Sequence, residues 1–154
     1  MYSAELTAGR RFALVLQPGD DVTESLTRFC RENGVQQGYL AVFLGAFSTV
    51  SLIGTCEPVD DEFEPMPQSV HLTNVEGIGS GTIAWSAADE LTLPHLHVAV
   101  GLKSYSATAY AGHLLAATVQ YVTEIVVEEV ISPRFRRVPD PAARGIPTLS
   151  FGQE

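Results

Sequence analysis

Two hydrophobic periods alternate along the chain. Residues 11–16 form an apolar run that stops at the Pro18-Gly19 turn, and they predict a first strand. In the next segment Val22, Leu26, Phe29 and Cys30 recur at three- and four-residue spacing, which places them on one face of a helix. Asp20 or Asp21 caps its start, where a carboxylate also meets the positive end of the helix dipole, and Asn33-Gly34 closes its end. This is the one secure helix of the sequence.

The period then shortens to two. Residues 37–44 and 47–55 are apolar, β-branched and aromatic, and Gly45-Ala46 divides them either as a hairpin turn or as a bend in one long strand. Residues 70–75 and 82–85 predict two more strands with Glu76-Gly77-Ile78-Gly79-Ser80-Gly81 between them. Those glycines miss the Gly-x-Gly-x-x-Gly spacing and no βαβ unit surrounds them, so a dinucleotide site is disfavoured; glycines at strand ends mark bulges or the close approach of another backbone. A turn over 86–90 leads into a strand at 94–101, and 118–128 is a long, β-branched final strand. That strand is too apolar to remain an uncovered edge, and subunit contact is expected to cover it. Residues 57–67 are acidic and carry three prolines, so they form a surface loop that serves as a lid, an interface element or plain connection. From 132 onward the proline-rich tail is expected to lie as extended chain across the surface or a neighbouring subunit.

The chemistry concentrates in the strand at 94–101. His95, His97 and Ala99 alternate with Leu96, Val98 and Val100, so both imidazoles point to the same side of the sheet. Side chains at i and i+2 stand about 7 Å apart at their bases and can converge on one ion at a Zn–N distance of about 2.0–2.1 Å. His113, behind Gly112, is the candidate third ligand on a returning strand. The chain has 4 histidines, and three fall here. A His-x-His pair on a half-buried strand also has a plain use, bonding to backbone or water; the Gly-His return tips the balance toward metal. Three neutral imidazoles leave Zn²⁺ with an open position, as in catalytic sites, and imidazole equally suits Fe²⁺, Ni²⁺ or Cu²⁺. Glu76 is the nearest carboxylate candidate for a general base or an outer partner, its plain alternative being a solvated strand end. Lys103, Ser104, Tyr105 and Tyr110 are candidates to line a pocket. His71 lies outside the cluster.

His95-Leu96-His97-Val98-Ala99-Val100-Gly101 followed by Gly112-His113-Leu114-Leu115 resembles the central signature of the PPC domain, the plants-and-prokaryotes conserved domain, in its stand-alone bacterial form. Leu16-Gln17-Pro18-Gly19-Asp20-Asp21-Val22, Phe29-Cys30-Arg31-Glu32-Asn33-Gly34-Val35, Gly45-Ala46 and Thr123-Glu124-Ile125-Val126-Val127 resemble that family in the same order. The resemblance implies an α+β fold, here a single domain of mainly antiparallel β-sheet with one N-terminal helix, assembled as a homotrimer. It further implies a metal on the three histidines, as in several bacterial members; plant members add an AT-hook that binds A·T-rich DNA. Residues 1–9 read as a lead, 10–131 as the PPC-like domain and 132–154 as the tail. The family usually joins its histidine strands by a short polar turn, whereas here residues 102–110 fill the gap, and Ala111-Gly112-His113 stands for the usual Gly-Gly-His.

Composition bounds the partners. With 154 residues and 45% hydrophobic content the chain suits one domain with an ordinary core. No signal peptide or membrane span is apparent, which makes a cytoplasmic protein the default. Cys30 and Cys56 are too few for a disulfide framework and read as reduced, structural residues. A net charge of −9 sets nine basic residues against eighteen acidic ones and disfavours duplex DNA, whose binding needs clustered Lys and Arg. Arg134-Phe135-Arg136-Arg137 is the one basic cluster and reads as a solvated chain end. Arg144-Gly145-Ile146-Pro147 echoes an AT-hook core but lacks its second arginine. Two functions remain: a metal-dependent enzyme, a hydrolase or lyase, acting on a small molecule, or a regulatory, DNA-associated binding module with a structural metal.

Overall fold

In the computed structural model, residues 1–54, 60–61, 68–104 and 108–152 are described. Cys56, Tyr105 and most of the acidic loop lie outside the described residues. The elements run β1 (Thr7–Leu16), α1 (Val22–Asn33), β2 (Gly38–Ile53), β3 (Ser69–Ser86), β4 (Leu91–Leu102), β5 (Ala109–Ser132), β6 (Arg134–Pro139), a 3-10 turn (Pro141–Ala143) and β7 (Pro147–Gly152). β2 pairs with β3 and β5, and β4 pairs with the same two strands from the other side, so these four close on one another as a barrel-like sheet. β1 extends the sheet beyond β5; β6 joins the end of β3 in parallel, and β7 pairs with β6. Every other pairing is antiparallel, in agreement with the fold class read from the sequence.

The helix forms as its pattern requires. Asp21 is the N-cap and accepts from the Glu24 amide, while Gly34 closes the helix in the left-handed region at φ 67° with its N–H on the Cys30 carbonyl. Val22, Ser25, Leu26 and Cys30 are buried, and Phe29 meets Phe12 edge-on at 5.1 Å. The helix contacts β4 and β5. It helps to close the core formed by Phe43, Phe47 and Val50 of β2, Val75 and Ile83 of β3, Leu96, Val98 and Val100 of β4, and Leu114, Val119, Ile125 and Val127 of β5. Burial pushes the Cys30 thiol up to about 11, so it is a protonated, apolar filler at neutral pH.

Three expectations change and one open alternative is resolved. Gly45-Ala46 lies inside one long strand, β2, and is not a hairpin turn. The two strands expected around the glycines are one 18-residue strand, β3. The histidine return and the final apolar strand are likewise one strand of 24 residues, β5, and it is no open edge, because β1 and β2 flank it. The chain's own strands supply the cover that subunit contact was expected to give. Finally, the segment after 132 is a paired hairpin held on the sheet. Buried Gln37 fixes it, donating from Nε2 to the Pro133 carbonyl at 2.8 Å and accepting the Phe135 amide at 2.7 Å. Phe135 then packs with Ala84 and Val130 in a second small core. At the opposite edge Arg10 grips the nearly buried Glu129 through two hydrogen bonds of 2.7 and 2.8 Å, and this holds the Glu129 carboxyl below its ordinary range.

The glycines of β3 explain its length. Gly77, Gly79 and Gly81 lie opposite Val100, Val98 and Leu96 in a β3–β4 register without shifts, while the β2–β3 ladder slips between Leu40, opposite Gly81, and Leu44, opposite Ile78. A Cβ at Gly81 would stand 2.0 Å from the His95 carbonyl oxygen, one at Gly79 2.7 Å from that of His97, and one at Gly77 2.2 Å from that of Ala99. All lie below the 3.0 Å that Cβ atoms tolerate, so only glycine lets β4 come this near. Gly81→Ala should therefore destabilise the fold by about 1–3 kcal/mol, as overpacking does. Gly152→Ala, with nothing within 4 Å of the new methyl, should leave the urea midpoint unchanged; equal midpoints for both variants would contradict this account.

Candidate metal centre

Because Leu96, Val98 and Val100 point into the core, strand alternation turns His95 and His97 to the outer face of β4. On β5 Leu114 points inward, so His113 turns outward as well. The register completes the convergence, since His97 pairs with His113 across the β4–β5 ladder and Ile53, the last residue of β2, pairs with His113 on its other side. All three imidazoles thus meet on the outer surface of the barrel.

One potential ligand nitrogen from each histidine can be chosen so that all lie within 4.8 Å of one another. His95 Nε2 and His97 Nε2 are 3.2 Å apart. Two nitrogens on a tetrahedral zinc at about 2.0–2.1 Å would stand about 3.3 Å apart, so this pair already spans one edge of a coordination shell. A pair at the 4.8 Å limit has to close by about 1.5 Å to reach that spacing. The His113 ring meets His95 at 85° and His97 at 71°, leaving the three rings splayed around a common point. Among the described residues this is the one cluster of three or more His, Cys, Asp or Glu side chains that could hold a metal ion.

The electrostatics favour neutral rings. Burial lowers the His95 pKa to about 4, aided by the charge of Arg137 and then by His113 and His97. Burial also lowers His113, helped by His97 and Arg137. Both rings therefore keep a lone pair for a Lewis acid at neutral pH. Among the described residues, the charges that shift these two rings are cationic, with no carboxylate contributing.

The other candidates lie elsewhere. Glu76 pairs with Gly101 in the ladder, four residues along from Ser80, the partner of His97, so its base is about 13 Å away along the strand. Its exposed carboxylate reaches Lys103 Nζ at 3.9 Å. Lys103 also donates to Gln120 and covers the Tyr121 ring at 4.6 Å, and Tyr110 packs against the core. His71 shares a 2.8 Å hydrogen bond with Ser51, apart from the trio. The basic cluster is divided by the strand period: Arg134 and Arg136 are exposed, while Arg137 is half-buried and donates from Nη2 to Thr82 Oγ1. Thr82 is the register partner of His95. Sequence reasoning placed Arg137 in a solvated end; the parallel pairing of β6 with β3 that brings it here has no local signal.

Residues 3–131 match the family described as the Plants and Prokaryotes Conserved (PCC) domain. The chain is 31% identical over 134 residues to the Bifunctional protein GlmU of Synechococcus sp. (strain JA-3-3Ab), covering 86% of this chain and spanning 19% of the length of that relative. A metal-containing protein of Archaeoglobus fulgidus shares the fold at a TM-score of 0.79 with 22% identity, covering 99% of this chain and 100% of its own. A putative DNA-binding protein of Ralstonia eutropha JMP134 shares it at 0.74 with 23% identity, over 91% of this chain and 90% of the other. At these identities the two structures show a common fold.

Proposed function

Because the chain belongs to the Plants and Prokaryotes Conserved domain family, we propose that it is a cytoplasmic metal-binding protein in which His95, His97 and His113 hold one divalent transition metal, Zn²⁺ or another that imidazole suits, and present it to a small molecule. The observation that carries this reading is the 3.2 Å His95–His97 nitrogen separation on a face where the third ring converges. The name of the Archaeoglobus fulgidus structure supports it. Three imidazoles leave a coordination position open to solvent, and bound Zn²⁺ lowers the pKa of a water molecule to about 7, the chemistry of a hydrolase or lyase. The chain's own contribution is to hold the rings neutral and aimed. Protein purified without a histidine tag should contain close to one transition-metal ion per chain by elemental analysis, and His97→Ala or His113→Ala should lose it; sparse metal that neither change affects would end the metal reading.

We propose further that the protein is a homotrimer. Leu44, Ile78, Tyr121 and Val122 line an apolar patch on the outer face of β2, β3 and β5, with Ile78 65% and Tyr121 64% exposed. A patch of this kind suits a subunit interface. Light scattering should return about three times the 16.6 kDa chain mass at micromolar concentration, and Ile78→Asp should reduce it; a monomer mass for the unaltered protein would refute the assembly.

The second reading is a regulatory, DNA-associated module with a structural metal, favoured by the name of the Ralstonia structure. Charge weighs against direct contact, since −9 per chain repels phosphates and Arg137 is turned from solvent toward the histidines. Binding to A·T-rich duplex at physiological salt should be weaker than the ~10⁻⁴–10⁻⁶ M of non-specific binders. Submicromolar, steeply salt-dependent binding by anisotropy would instead favour this reading, with Arg134, Arg136 and Arg144 as candidate phosphate contacts.

A further inference from the structure

Arg137 poses a problem of charge. Its side chain is half-buried, its Nε is buried with no hydrogen-bond partner, and its one hydrogen bond among the described residues goes to the neutral hydroxyl of Thr82. No carboxylate pairs with it among the described residues. A desolvated guanidinium without a counter-ion is costly, and arginines so placed normally face an acidic partner. Here the neighbour is the histidine site, for Thr82, which accepts from the guanidinium, is the register partner of His95 and shares its face of the sheet.

On the metal reading above the conflict sharpens. Three neutral imidazoles cancel none of the charge of a divalent ion, so the ion and the guanidinium together place three positive charges in one partly desolvated spot. Such a site is completed by an anion. The guanidinium offers planar, paired N–H donors suited to a carboxylate, and the metal keeps a position open for one oxygen of the same group. The position of Arg137 is also built, not incidental: Gln37 clamps the start of β6, β6 pairs with β3, and Thr82 holds the guanidinium over the face that carries His95.

We propose that Arg137 is the anion-recognising residue of the histidine site and that its ligand is a small carboxylate held between the guanidinium and the metal. This rests on the metal reading and adds to it the substrate class. The metal supplies one attachment and the arginine selects charge, so neutral molecules of the same shape bind poorly.

The test uses the full chain loaded with cobalt(II), whose visible bands report changes in the ligands of the metal. Acetate is titrated against acetamide, its uncharged match, in the unaltered protein, Arg137→Gln and Arg137→Lys, with cobalt per chain measured alongside. Acetate should shift the bands of the unaltered protein and acetamide should not. Arg137→Gln should retain cobalt and bind acetate about tenfold to a hundredfold more weakly, the worth of a charge-assisted hydrogen bond. Should Arg137→Gln fail to fold by circular dichroism, Arg137→Lys decides, because it keeps charge but loses the fork and should bind acetate severalfold more weakly. Unchanged acetate affinity in a folded, cobalt-bearing variant overturns this inference and leaves the metal reading standing. Absence of cobalt from the unaltered protein overturns both.

Discussion

At three inner-face positions of β3 the backbone of β4 lies closer than a side chain would allow, and the rest of the molecule is fitted around that contact. Gly77, Gly79 and Gly81 present no Cβ, so the carbonyls of Ala99, His97 and His95 settle directly against them. The same approach turns Leu96, Val98 and Val100 into the core and thereby commits the alternate residues, His95 and His97, to the outer face. Closure of the four-strand cycle, filling of the core and aim of the imidazoles are thus one geometric decision. Core packing is unforgiving of small displacements, which ties the precision of the histidine site to residues that never touch it.

Where the fold was legible in the sequence, the signal was local. The helix declared itself through Val22, Leu26, Phe29 and Cys30, through the Asp20-Asp21 pair of which Asp21 is the cap, and through Gly34, and the histidine strand declared itself through strict alternation. The family resemblance is confirmed by the match over residues 3–131. Gly45 and the Gly77–Gly81 series each left two readings open, because a residue that permits close approach is indistinguishable in one dimension from one that permits a turn or bulge; the ladders favoured a continuous β2 and the close approach of β4. The pairing of His97 with His113 was foreseeable from their spacing; the arrival of Arg137 was not, since it depends on a parallel ladder between β3 and β6.

Electrostatically the molecule is divided. The chain as a whole is strongly acidic, yet the charge that bears on His95 and His113 from outside the trio is that of Arg137. At physiological ionic strength the screening length is about 8 Å, so a partly buried site is governed by its own neighbours more than by the net charge of the surface. An anion therefore meets an unfavourable far field and a favourable near one. At the proposed site that arrangement would favour small anions over long polyanions that must lie along the surface.

The two halves of the site also differ in how far along the chain their parts are gathered. His97 and His113 are separated by sixteen positions on adjoining strands, whereas the Arg137–Thr82 bond spans 55 residues. Loop-closure entropy grows with the logarithm of span, so drawing in the arginine costs about 1 kcal/mol more than forming the histidine pair. In the proposed site the grip on an ion would belong to the β4–β5 pair, while the guanidinium beside it is delivered by β6. Changes in β6 can retune what is recognised without rebuilding what does the holding.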